Sequence, residues 1–329
     1  MRLAVLDLGS NTFHLLLAMV DGNGSVTKLG SIKRTLKLGA EIPVGGVIGQ
    51  HAWERAMAAI DAILTEGRPF ESRTLGVATS VFREASNGRA FIEAVRTRFG
   101  VPVELLTGAE EGRLSYLGAV SDLPVQGRVA VIDVGGGSVQ LTVGEGEHCI
   151  FAASLPFGVL RLWQHATTTT SDPHEIANSI AAVLRQEARS VTDAVAALEP
   201  RTVVFASGTA RAIASLALLD RYEPVPPLRI VDDPHSPARA TRVTRIGLRG
   251  LGAALIGLDA SALSALGVPA DRQATTGPGA IVLETLMDLL HVEEAAIATR
   301  ALREGVIMRA LHAARDARVA PAVEAAPAL

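Results

Sequence analysis

A twelve-residue pattern occurs twice in this chain, and the repeat limits the possible folds more than any other feature. Ala4-Val5-Leu6-Asp7-Leu8-Gly9-Ser10-Asn11-Thr12-Phe13-His14-Leu15 superposes on Ala130-Val131-Ile132-Asp133-Val134-Gly135-Gly136-Gly137-Ser138-Val139-Gln140-Leu141 at a constant offset of 126 residues. Asp7 falls on Asp133, Gly9 on Gly135, Thr12 on Ser138 and Leu15 on Leu141. Each copy reads as a buried apolar strand tipped by an aspartate, a glycine turn and a second strand. Two such units in corresponding places imply a duplicated domain whose turns can face one another.

The chemistry follows from the backbone. Glycines let the chain approach a ligand and turn N–H groups toward it, which is a means of holding phosphate. Gly135-Gly136-Gly137-Ser138 supplies one such turn and Gly9-Ser10-Asn11, beside Asp7, the other. Asp133 at a strand tip offers a hard oxygen ligand suited to Mg²⁺. Two phosphate-directed turns across a cleft make a site for a phosphate chain. Ser207-Gly208-Thr209 repeats the strand-then-turn pattern a third time, with a helix N-terminus adding N–H donors.

At 329 residues the length suits two domains, each able to bury its own core. A net charge of −3 gives no global field to recruit nucleic acid, so an anion must be held locally. One cysteine, Cys149, excludes an internal disulfide and favours a cytoplasmic protein. Asp7 interrupts the N-terminal apolar stretch, which argues against a signal peptide, and no uncharged run is long enough to span a bilayer.

Taken in order, strands are expected near 3–8, 13–20 and from 25, then a loop from Gly39 to Gly49 and a helix from His51 to Thr65. A strand at 75–79, a helix from Gly88 to Phe99, a strand at 101–106 and a helix from Glu110 to Val120 complete the first half. The second half opens with strands near 129–133, 138–144 and 148–155, followed by a helix over 174–197 and a strand over 201–206. A helix from Ser207 to Leu219, a proline-rich excursion from Glu223 to Pro237 and a helix capped by Thr244 and running to Leu258 come next. Gly277-Pro278-Gly279 is expected to break the chain before a helix from Ala280, and a strand near 293–298 and a helix over 302–315 end the fold. The domains read as 1–124 and 125–317, with a turn around Pro124-Val125-Gln126-Gly127, a final helix able to return to the first domain, and a frayed tail over 318–329.

Thr107-Gly108-Ala109-Glu110-Glu111-Gly112-Arg113 joins a strand to a helix near the domain boundary. Acids in a first helical turn complement the macrodipole, and in a cleft one of them can deprotonate a water attacking phosphorus. Neighbours on a helix point roughly 100° apart, so only one would face the cleft. Arg83, after a short strand, is placed to stabilise charge on equatorial phosphate oxygens. Lys28, Lys33, Arg34 and Lys37 stud the third strand, and Arg242, Arg245 and Arg249 are read as sharing a helical face; both groups are expected in solvent. The eight histidines show no metal spacing, and neither a P-loop nor a Rossmann fingerprint is present.

Asp7-Leu8-Gly9-Ser10-Asn11-Thr12, Ala78-Thr79-Ser80…Arg83, Gly108…Glu110-Glu111…Arg113, Asp133-Val134-Gly135-Gly136-Gly137-Ser138, Ser207-Gly208-Thr209 and Leu302-Arg303-Glu304-Gly305 together resemble the exopolyphosphatase/guanosine pentaphosphate phosphohydrolase family, in order and from residue 3 to about 312. The resemblance implies an α/β fold of two duplicated ribonuclease-H-like domains of the actin-like ATPase superfamily, flanking a cleft. It implies that Glu111 is the base for water, that Asp133, Gly135 and Ser138 belong to the phosphate and Mg²⁺ site, and that Arg83 contacts phosphate. Glu110 is set beside Asp133 as a metal ligand. Three departures stand out: Gln140 where the family has glutamate, Gly112 where alanine is usual, and Ala298-Thr299-Arg300 in place of an acid-containing run.

The expected activity is Mg²⁺-dependent release of the terminal phosphate of inorganic polyphosphate. The enzymatic alternative is removal of a phosphate from guanosine pentaphosphate or a nucleoside triphosphate. The alternative of another class is a non-hydrolytic actin-like nucleotide- or alarmone-binding regulator, which Gln140 and Gly112 keep open. Nucleic acid and membrane are not expected as partners, and a homodimer is the family habit.

Overall fold

The computed structural model describes residues 1–319 apart from 23, 122, 124 and 218–240. The excursion over Glu223–Pro237, Pro124 of the boundary turn and the tail beyond 319 therefore lie outside the described residues.

Two mixed sheets form, one in each half. Strands β1 (Arg2–Leu8), β2 (Thr12–Val20), β3 (Val26–Thr35), β4 (Arg73–Ala78) and β5 (Val103–Leu105) make the first, in the order β3-β2-β1-β4-β5. The second holds β6 (Arg128–Val134), β7 (Val139–Glu145), β8 (His148–Leu155), β9 (Thr202–Ala206), β10 (Arg242–Thr244) and β11 (Glu294–Ile297), in the order β10-β11-β9-β6-β7-β8. Apart from the antiparallel edge strand β10, the second order is the first over again. Register carries the repeat down to single residues: Asp7 pairs with His14 across β1 and β2, and Asp133 with Gln140 across β6 and β7.

The apolar alternation that marks these strands buries both faces. Ala4, Leu6 and Leu8 pack with the helices Gln50–Gly67 and Gly88–Phe99 on one side of the first sheet. On its other side Leu3, Val5 and Leu16 meet Leu302, Val306, Ile307 and Leu311 of the last helix, Leu302–Val319. In the second half Ile132, Leu141 and Phe205 join the helices Pro173–Ala196 and Gln273–Leu289, while Val129, Val131 and Val204 receive Tyr116 and Ala119 from the helix Gly108–Val120. The last helix of each half thus covers the sheet of the other. Where these two helices cross, a Cβ on Gly305 would fall on the Leu114 carbonyl oxygen and one on Gly118 on that of Ala301. Only glycine permits that approach.

Several elements differ from expectation. Gly277-Pro278-Gly279 does not break the chain: a single helix runs Gln273–Leu289 with Pro278 inside it. Its glycines serve packing, since a Cβ on Gly277 would crowd Ile256 and one on Gly279 would crowd Thr209. A helix at Val159–Thr167, not among the expected elements, begins where the Val159 and Leu160 N–H groups donate to the carbonyl oxygens of Gly135 and Gly136 (3.0 and 2.9 Å). Thr244 does cap a helix, but only Arg245–Leu248, because Gly250 takes φ 73° and a second helix starts at Leu251. Arg242 lies in β10, not on a helical face with Arg245.

Candidate active site

The two turns close in the same way. Gly9 N–H donates to the Thr12 carbonyl oxygen at 3.3 Å, and Gly135 N–H to that of Ser138 at 3.0 Å. Neither site has room for a side chain: a Cβ would come within 3.0 Å of Thr12 O or 2.8 Å of Ser138 O. The turns also touch, for Gly137 packs directly on the side chains of Ser10 and Ser80. Asp7 and Asp133 therefore open into one cleft, lined also by Gly9, Ser10, Asn11, Glu111, Gly135, Gly136, Gly137, Ser138, Ser207, Gly208 and Thr209. The N–H groups of Ser10, Asn11, Gly136 and Gly137 have no partner among the described residues, which leaves four donors for an anion.

Hydroxyls fix the turns in place. Ser10 Oγ shares a hydrogen bond with Ser80 Oγ (2.7 Å) and accepts one from Val81 N–H. Ser207 Oγ accepts from Ala210 N–H (2.8 Å), so it caps the helix Gly208–Ala217. Ser138 Oγ accepts from Gln140 Nε2 at 2.8 Å and keeps its own proton to give.

The acid pair divides as helix geometry requires. Glu111 turns inward, its side chain 11% exposed, and burial pushes its carboxyl up to about 7 against the pull of Arg83. Arg83 Nη1 donates to Glu111 Oε2 at 3.1 Å and to the Leu106 carbonyl oxygen at 2.8 Å. Ser115, one turn on from Glu111, donates to Asp133 Oδ2 at 2.5 Å, and burial raises Asp133 to about 6. Glu110 points the other way. Its carboxylate accepts from Thr107 N–H and Thr107 Oγ1 (both 2.7 Å), closing a capping box, and those bonds hold its pKa below the usual range. Glu110 is absent from the cleft lining, so the expected pairing with Asp133 on a metal is corrected: the same rotation that brings Glu111 in turns Glu110 out.

The donors suit a lightly held Mg²⁺. Among the described residues no three His, Cys, Asp or Glu side chains form a metal cluster. Mg²⁺ commonly takes one or two carboxylates and completes its shell with water and substrate phosphate. Asp133 fits: it is half-buried, has Ser115 on one oxygen, and leaves the other for a cation. Asp7 is engaged differently, accepting from Arg303 Nη1 at 2.9 Å. Gln140, in place of the acid, is buried and donates to Ser138 and Ser154. Gly112 answers it in space, since a Cβ there would come 2.8 Å from Thr142 Oγ1 and 3.3 Å from Gln140 Cβ.

Several cleft residues had no role assigned from the sequence: His14, Thr79 and Ser80, which lie within quoted motifs, and Arg211, Arg272 and Thr275. Ser115 had a legible signal, being four positions after Glu111 on one helix face. Burial and Arg303 lower His14 to about 3, so it is a neutral imidazole. Of the basic residues on the third strand, Lys33 pairs with Asp271 of the other half (2.8 Å) and Arg34 with Glu66. Near the same junction Arg161 bonds Glu84, and Gln164 donates to the Ala40 carbonyl oxygen.

Comparison with known proteins places this geometry. The model of the Ppx/GppA phosphatase family matches residues 18–314. The chain is similar to "Exopolyphosphatase 1" of Mycobacterium tuberculosis, 32% identical with 96% of this chain and 90% of the relative covered. A "Putative exopolyphosphatase" of Haemophilus influenzae is 28% identical over 93% of this chain and 90% of its own. Among solved structures, an exopolyphosphatase from Cytophaga hutchinsonii superposes with a TM-score of 0.80 at 21% identity, covering 95% of this chain and 98% of the other. The Aquifex aeolicus Ppx/GppA family member superposes with a TM-score of 0.73 at 24% identity, covering 95% and 98%. The two sheets are thus the duplicated domains of the actin-like ATPase fold, and this chain belongs to the Ppx/GppA phosphatase family.

Proposed function

We propose that this chain is an exopolyphosphatase, hydrolysing the terminal phosphate of inorganic polyphosphate with Mg²⁺ as cofactor. The observation that carries this reading is Glu111: a buried carboxyl raised to about 7, in the wall of a cleft rimmed by unpartnered amides. A base with that pKa is half ionised near neutrality, where a proton acceptor for water is most effective.

The terminal phosphate sits between the Ser10–Asn11 and Gly136–Gly137 amides, with the Ser138 hydroxyl donating to one of its oxygens. Glu111 takes a proton from a water aligned behind phosphorus, the water oxygen bonds to phosphorus, and the bridging oxygen leaves with its electron pair on the shortened chain. Arg83 holds Glu111 in place and favours its ionised form. Asp133 would hold Mg²⁺, which would supply charge neutralisation. Single Cys149 fits a cytoplasmic setting, and among the described residues no helix is long and apolar enough to cross a membrane.

The test is orthophosphate release by the purified protein with Mg²⁺ from long-chain polyphosphate, guanosine pentaphosphate and GTP under identical conditions. Fastest release from polyphosphate supports the reading. Faster release from guanosine pentaphosphate transfers the assignment to a nucleotide phosphohydrolase, and silence toward all three ends both.

A further inference from the structure

Arg211 is a half-buried guanidinium with no acid in ion-pair contact among the described residues. It stands in the first turn of the helix Gly208–Ala217 and lines the cleft. Its described hydrogen bonds run from Nη1 to the carbonyl oxygens of Ala298 and Thr299, both at 3.3 Å. Arg303 lies close by. It enters from the helix Leu302–Val319 and spends one nitrogen on Asp7, while its Nε is buried without a partner. Burial and the nearby Arg303 lower the Arg211 pKa against the opposing pull of Glu304 and Asp133, so two cations share a poorly solvated place with acids near but not in contact with Arg211. A partly desolvated guanidinium that lines a cleft with no acid in contact is suited to receiving an anion. Two guanidiniums from different elements lining one cleft can each offer forked N–H donors to phosphate oxygens.

Building on the hydrolase reading above, we propose that Arg211 and Arg303 form a second anion subsite, which holds the phosphate on the leaving side of the cleaved bond. The amide turns and Glu111 serve the phosphate under attack. The arginine pair serves its neighbour, taking up charge as the bridging oxygen departs. The site therefore selects phosphoanhydrides of at least two phosphates over phosphate monoesters. Arg303 is oriented for this by Asp7, which explains why the two cognate aspartates part company: Asp133 remains open to a cation and Asp7 anchors an arginine.

Tripolyphosphate and orthophosphate are the probes, used on the full chain and on Arg211→Gln and Arg211→Lys, with binding read by calorimetry and by the shift in Tm. The parent is expected to bind tripolyphosphate and melt higher in its presence. Arg211→Gln should melt at or above the parent without ligand, because a partly desolvated charge with no acid in contact has gone. It should weaken tripolyphosphate by about tenfold or more, the scale of a lost charge-assisted contact. Orthophosphate binding should move less than about twofold, and Arg211→Lys should recover part of the loss. Unchanged tripolyphosphate affinity in Arg211→Gln overturns the subsite. So does a lower ligand-free Tm in both variants, which would assign Arg211 to holding Ala298 and Thr299. Arg211-dependent binding in a parent that releases phosphate from no substrate would keep the subsite and remove the hydrolase reading instead.

Discussion

Arg83 and Glu111 are joined by a hydrogen bond of 3.1 Å between Nη1 and Oε2, and the same nitrogen is anchored at 2.8 Å on the Leu106 carbonyl oxygen. The arginine expected to reach phosphate is bonded to the acid, and its charge opposes the burial that raises Glu111 to about 7. With Mg²⁺ present, kcat/KM should therefore rise with pH along an acid limb as Glu111 ionises. Arg83→Gln removes the opposing charge, so the limb should move to higher pH. A pH–rate profile with an unmoved limb would detach Arg83 from the tuning of Glu111.

The same shift fixes how stability responds to pH. Glu111 and Asp133 have folded pKa values of about 7 and about 6, above their ordinary 4.5 and 3.8. Between roughly pH 4 and 7 the folded protein binds more protons than the unfolded chain, so stability falls as pH rises through that window. Without metal, Tm should be lower at pH 8 than at pH 5, and Glu111→Gln should flatten the difference. A Tm rising across this range would contradict the desolvation of both acids.

Gln140 offers a direct manipulation of the metal region. Its amide lies 1% exposed, donating to Ser138 Oγ and Ser154 Oγ. Gln140→Glu puts a carboxylate into that buried place and should cost roughly 1–3 kcal/mol at pH 8 without metal. Mg²⁺ should restore part of the loss, as a cation near Asp133 gives the new charge a partner. Urea unfolding with and without Mg²⁺ reads both effects, and an equal loss in both would show that position 140 does not reach the metal.

Gly305 stands where the two exchanged helices cross, its Cα against the Leu114 backbone. Gly305→Ala should destabilise by about 1–3 kcal/mol through overpacking. It should also reduce activity, because the displaced helix carries Arg303 and the displaced partner carries Glu111. Chemical denaturation and kcat measured together test this, and a neutral substitution would mean that the crossing relaxes easily.

Much of the fold was legible because the repeat is written in strands, where burial on both faces leaves long apolar runs. The aspartate tips and glycine turns followed, and they do share a cleft. What escaped depended on contacts distant in sequence. The helix Val159–Thr167 has only nine residues and no side-chain cap; its first N–H groups rest on carbonyl oxygens more than twenty residues back. Gly277-Pro278-Gly279 looked like a break, yet neighbours that crowd those glycines hold the helix through it. Glu110 and Glu111 are alike in composition, and only the rotation of their helix separates a cap from a base. Arg211 carries no local signal at all, since its meaning comes from Arg303, ninety-two positions on.

Orthophosphate release from long-chain polyphosphate by the parent and by Glu111→Gln, with Mg²⁺ at pH 8, tests the central claim most directly. The parent should turn over, and Glu111→Gln should be slower by about 10² to 10⁴ in kcat, the contribution of a positioned base, while circular dichroism shows the same fold. Equal kcat in the two proteins would remove Glu111 from the chemistry and contradict the account.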